Sequence, residues 1–159
     1  MTTLEFVYDT KDHLNTYIKQ ADQKASVLLT AQLAFLGLFA NALNTLSISE
    51  SDALLALATL SGVAGLIGVF LAGWTVYPRT PEQETGFILW DNIRGYGSES
   101  DFRSAIHELD EDDIVDEVIG ENYKLADVAK KKYRYLKWSL CATAGMVVFA
   151  VLAGVVFLL

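Results

Sequence analysis

The sequence predicts an all-α integral membrane protein: three transmembrane helices, the first and third extended into the cytoplasm, plus short cytoplasmic helices. Three observations predict it. Charge is absent from residues 25–48, 53–78 and 138–159, and each block is long enough to span a bilayer, which takes roughly 20 mostly apolar residues. All 12 Lys and Arg residues fall on one side of the implied membrane. The polar stretches beside the first and third blocks keep an apolar stripe at helical spacing. A length of 159 residues suits one domain. A hydrophobic share of 52% exceeds the soluble norm of about 45–50% even with Gly counted. The expected organisation is a single membrane domain over 1–159. Its spans are about 25–47, 53–77 and 138–159, and its cytoplasmic segments are 1–24 and 78–137.

The first helix is expected from about Thr3 to Leu46. No Gly or Pro interrupts it before Gly37, and Val7, Leu14, Ile18, Ala21, Ala25 and Leu28 recur at helical spacing. About 20 residues outside the bilayer would extend ~30 Å. Ala40-Asn41-Ala42 has the pattern of a signal-peptidase site. The long acidic stretch before this block and the two further spans argue against cleavage.

The second helix is expected over about 52–77, stopped by Pro78. Thr80-Pro81-Glu82-Gln83 reads as a new helix start, with Thr80 as N-cap, Pro81 at the first helical position and Gln83 completing a capping box. That helix carries Phe87, Ile88, Trp90 and Ile93 and ends at Gly95-Tyr96-Gly97. Ser98 or Ser100 caps a further short helix with Phe102, Ala105, Ile106 and Leu109 as its buried face. Asp112 starts another, which Gly120 breaks or bends. The third long helix then runs from Glu121 to Leu159, with a stripe of Leu125, Ala129, Tyr133, Leu136 and Leu140.

Orientation follows from charge. Lys11, Lys19 and Lys24 precede the first span, nine basic residues lie between the second and third, and residues 47–52 carry none. Loops rich in Lys and Arg stay in the cytoplasm. The N-terminus is therefore expected inside, residues 47–52 outside, and the C-terminus at the outer face of the inner (plasma) membrane.

Composition also excludes function classes. A net charge of -8 argues against nucleic acid as a partner. Cys141 is the single cysteine, and His13 and His107 have no ligand-spaced companions, so no metal or cofactor is expected. No P-loop, Gly-rich dinucleotide turn or nucleophile–base pair is present, so no enzyme is expected. No Asp, Glu, Lys, Arg or His lies within the charge-free blocks, which argues against a proton relay or an ion-coupled carrier. The acidic run from Glu108 to Asp113 lacks the spacing of a calcium loop and reads as solvated surface.

Several features have two readings. Gln32 and Asn41 are amides inside the first span, where they either bond neighbouring helices or line a pore. Ser61, Gly65, Gly68 and Ala72 form a small-residue face of the kind that lets helices approach closely. Self-association into a homo-oligomer is expected to use it. The basic stretch Lys130-Lys131-Lys132-Tyr133-Arg134 is either topogenic charge touching lipid headgroups or a pocket for an anion. Asp22, Lys24, Arg79, Lys132, Tyr133 and Arg134 all fall where the three spans leave the membrane. Cations there would hold an anionic ligand. The competing reading pairs Asp22 with a neighbouring cation to join the helices.

Three segments in order resemble the transmembrane effectors of the Pycsar anti-phage system. They are Ala21-Asp22-Gln23-Lys24-Ala25-Ser26, Val76-Tyr77-Pro78-Arg79, and Glu121-Asn122-Tyr123 through Lys132-Tyr133-Arg134-Tyr135-Leu136-Lys137-Trp138. The resemblance implies a response to a cyclic pyrimidine nucleotide, cUMP or cCMP, made by a partner cyclase after infection. On such a ligand the cations at the membrane exit would hold the phosphate, Asp22 would accept from a ribose hydroxyl, and Tyr96, Trp90 or Tyr133 would stack the base. It also implies damage to the inner membrane and arrest of the infected cell. A membrane anchor that docks a partner through its cytoplasmic helices, and a small channel without a nucleotide trigger, are the alternatives.

Overall fold

A computed structural model describes residues 1–45, 51–78, 87 and 90–158, without the side chains of 45, 90 and 91. Five helices are described: α1 (Thr3–Thr45), α2 (Asp52–Val76), α3 (Trp90–Gly95), α4 (Glu99–His107) and α5 (Glu111–Leu158). The fold is all-helical, and α1, α2 and α5 are each long and apolar enough to cross a membrane. The expected helix start at Thr80–Gln83 and most of the 47–52 loop lie outside the described residues.

Local chemistry sets the helix ends. The Thr2 hydroxyl accepts from Glu5 N at 3.2 Å while the Glu5 carboxylate accepts from Thr2 N at 2.8 Å, a reciprocal capping box at the start of α1. Ser51 caps α2 through Leu54 N, and Ser98 caps α4 through Asp101 N. The α5 start corrects the sequence reading. Asp110 accepts from Asp113 N at 2.9 Å and Asp113 from Asp110 N at 3.1 Å. The acidic run is thus a helix N-terminus, where carboxylates also favour the macrodipole. From there α5 continues through Gly120 without a break. A helical Gly costs only about 1 kcal/mol, and packing of the neighbouring Val118, Glu121 and Asn122 outweighs it.

The chain divides into two compact units, 1–19 with 78–130, and 20–77 with 131–159. α1 and α5 contribute to both. In the first unit, Asn122 Nδ2 donates to Val7 O at 2.8 Å and Lys11 pairs with Glu121 at 2.8 Å, joining α1 to α5. Phe87 N donates to the Glu117 carboxylate, and Tyr96 packs between Phe87 and Phe102. The α4 face expected to be buried is covered only in part: Ile106 is 41% exposed, and no residue of α4 is fully buried.

The second unit is a three-helix bundle. α2 buries Leu54, Ala58, Ser61, Gly65, Gly68, Ala72 and Thr75. Their alternating steps of four and three are the 3.5-residue period of a left-handed supercoil seam. The small-residue face therefore packs inside the chain. A Cβ on Gly65 would lie 2.7 Å from Leu36 Cδ2 and 2.8 Å from Met146 Sδ. This corrects the expectation that the face joins one subunit to another. The α5 stripe is corrected too. Leu136, Ser139 and Met146 face inward with Lys132, while Leu140 is 52% exposed. Apolarity alone favoured Tyr133 and Leu140, but the bundle supplies partners for the Lys132 ammonium and the Ser139 hydroxyl, and those residues take the seam. Large apolar side chains such as Val27, Leu38, Leu66, Phe70 and Val151 face outward instead, as a lipid-facing surface requires.

Candidate functional site

The seam of the second unit is polar at intervals. Lys132 of α5 is only 3% exposed. Its ammonium donates to Asp22 Oδ1 of α1 at 2.5 Å and to the Thr75 carbonyl of α2 at 2.8 Å. Thr75 lies in the last turn of α2, at the negative end of the helix dipole. One cation thus satisfies a carboxylate on one helix and a terminal carbonyl on another. Removing the half-buried Asp22 carboxylate would leave the buried Lys132 charge uncompensated, the situation that costs about 3–5 kcal/mol where both members are fully buried and less here, where one faces water.

Seven residues further along α5, Ser139 donates to Gly68 O at 2.8 Å. The Gln32 amide, 1% exposed, donates to Ser139 Oγ at 3.2 Å and to Thr143 Oγ1 at 2.6 Å, while Gln32 Oε1 is buried with no hydrogen-bond partner. Gly68 makes room for that amide: a Cβ there would lie 2.6 Å from Gln32 Nε2. Seven residues on again, Ser61 Oγ donates to Met146 O at 2.8 Å. Asn41 lies on the exposed side of α1.

Of the residues singled out as a ligand site, Asp22 and Lys132 bond each other. Lys24 lies 5.9 Å from the Tyr133 ring centroid. Arg134 lies 5.5 Å from the ring of Tyr135 and is exposed. Arg79 and the side chain of Trp90 lie outside the described residues. Tyr96 is packed by Phe87 and Phe102 in the first unit. Thr75 and Ser139 escaped the sequence reading, because a carbonyl and a serine in an apolar run give no distinctive signal. The 3.5-residue spacing of small and polar positions on α2 was the available clue.

The three segments that carried the family resemblance have structural counterparts here. Asp22 belongs to the first, Tyr77 and Pro78 end α2 in the second, and Glu121, Asn122 and Lys132 make the interhelix bonds of the third. Residues 6–159 match the Pycsar effector protein domain. The chain belongs to the Pycsar effector family. A Pycsar effector is a membrane protein of anti-phage defence, and the three long apolar helices agree with that. The chain is 29% identical to the Pycsar effector protein SaPycTM of Staphylococcus aureus over 134 residues, covering 84% of this chain and 82% of the relative. No solved structure matches the chain significantly.

Proposed function

We propose that this Pycsar effector answers a cyclic pyrimidine nucleotide, cUMP or cCMP, released by a partner cyclase, and then impairs the inner membrane so that infection aborts. The observation that carries this reading is the family match over nearly the whole chain. The protein acts as a homo-oligomer surrounded by lipid and performs no chemistry of its own. It forms a single membrane domain over residues 1–159, with its N-terminus in the cytoplasm and its C-terminus outside. The continuity of α1 and α5 through both units supports transmission of a binding event along those helices. A ligand changes the balance between closed and damaging arrangements only by its differential affinity for the two.

Asp22, Lys24, Arg79, Lys132, Tyr133 and Arg134 are the proposed ligand residues. Lys24 and Tyr133 already form a cation–ring pair, a combination suited to a phosphate beside a base. The test is titration of the purified protein with cyclic mononucleotides. Saturable binding of cUMP or cCMP, lost in Arg79→Ala while the protein remains assembled, is the expected result. Absence of binding to any cyclic mononucleotide would reject the trigger. Normal binding by Arg79→Ala would reject the pocket.

A further inference from the structure

Among the described residues, three polar contacts between α5 and α2 are spaced by seven residues on both α5 (Lys132, Ser139, Met146) and α2 (Thr75, Gly68, Ser61). They form rungs roughly two helical turns apart. Two rungs are neutral. Only the Asp22–Lys132–Thr75 rung carries charge, and only it has a carboxylate within reach of water, because Asp22 is 34% exposed while Lys132 is 3% exposed. We propose that this rung is a releasable clasp that keeps the spans in the non-leaking arrangement, so that breaking it alone makes the membrane permeable. The proposal rests on the reading above that the chain impairs membranes.

The Lys132 ammonium is the constrained group of the rung. It has three donors, and the described contacts use two, on Asp22 and Thr75. Without the Asp22 charge, keeping the ammonium buried is costly, and reaching water is the way for it to stay charged. Lys132 is anchored on the inward face of α5, so its exit requires α5 to turn or splay from α2. That movement opens the side of the bundle holding the Gln32, Ser139 and Ser61 rungs, the groups able to line a water path. The outward face, with Val27, Leu38, Leu66 and Phe70, cannot do so. The charged rung therefore decides whether the neutral rungs stay closed.

The test uses the full chain in phosphatidylethanolamine–phosphatidylglycerol vesicles with a trapped dye and no nucleotide. Asp22→Asn is expected to raise leakage by about tenfold or more over the wild type. Adding Lys132→Met to Asp22→Asn is expected to bring leakage back toward wild type, because no buried charge is left to expel. An inserted, helical Asp22→Asn protein as tight as wild type overturns the proposal, as does equal leakage from the single and double variants. Should Asp22→Asn fail to insert, Asp22→Cys on a Cys141→Ala background, with Lys132 kept, decides the matter. It should leak before alkylation by iodoacetate, which puts a carboxylate back at position 22, and seal afterwards, and unchanged leakage on alkylation overturns the clasp. No nucleotide enters any arm, so failure of cUMP or cCMP binding leaves the result standing. A nucleotide-binding wild type beside a tight Asp22→Asn would sink the clasp alone.

Discussion

Gln32 of α1 occupies the space that a side chain on Gly68 of α2 would need: its Nε2 lies 2.6 Å from where that Cβ would be. The missing side chain lets the amide reach Ser139 and Thr143 on α5. Gly68→Ala should therefore displace the amide and cost the overpacking penalty of about 1–3 kcal/mol. Gly65→Ala should cost a similar amount, since it meets Leu36 and Met146 together. Gly62→Ala, with nothing within 4 Å of its Cβ, should be neutral or stabilising by up to about 1 kcal/mol. Unfolding in mixed micelles measures all three. Equal stability of the Gly62 and Gly68 variants would contradict the packing.

Gln32 itself carries an imbalance. Its amide nitrogen is doubly bonded, while its carbonyl oxygen is buried without a partner. Gln32→Met keeps the volume, removes the orphan acceptor and loses hydrogen bonds that average only about 0.6 kcal/mol in a membrane. Stability should change by less than about 1 kcal/mol. Gln32→Ala should cost about 2–5 kcal/mol by opening a cavity. The same unfolding assay separates them.

The start of α5 depends on the Asp110–Asp113 capping box. Asp110→Ala should fray the first turn and cost about 1 kcal/mol, whereas Glu111→Ala, whose side chain is exposed in that turn, should cost a few tenths. Faster amide hydrogen exchange confined to the first turn of α5 in the Asp110 variant is the expected signature.

Membrane orientation is tested by thiol labelling of intact cells on a Cys141→Ala background. Ser49→Cys should react with an impermeant reagent and Gly97→Cys should not, given the one-sided Lys and Arg distribution. The reverse pattern would invert the topology.

Assembly is tested by mass measurement in nanodiscs, where several copies per particle are expected. With the small-residue face of α2 buried inside the chain, substitutions on the outward faces, such as Leu66→Trp, should alter assembly more than Ala72→Gly. A particle that stays monomeric with and without nucleotide would remove the oligomer from the proposal.

Much of this protein was settled by sequence alone. Three uncharged blocks fix three candidate spans, since a bilayer leaves long apolar helices few other places to go. Ser98 and Pro78 mark ends that local hydrogen bonding and ring sterics enforce without help from distant residues. The basic residues of the proposed ligand site could be gathered to one level of the membrane, because distance along a helix is set by residue count. Tertiary structure decided which face of each helix turns inward. In an apolar span, Tyr133 and Leu140 compete with Lys132 and Ser139 for the seam, and hydropathy favours the wrong pair. The Asp22 carboxylate, the Thr75 carbonyl and the Gly68 carbonyl reverse that preference, because they give buried polar groups partners that lipid cannot. Those partners come from residues 57 to 110 positions away in the chain, so the pairing of Asp22 with Lys132 was one reading among several until the helices were brought together.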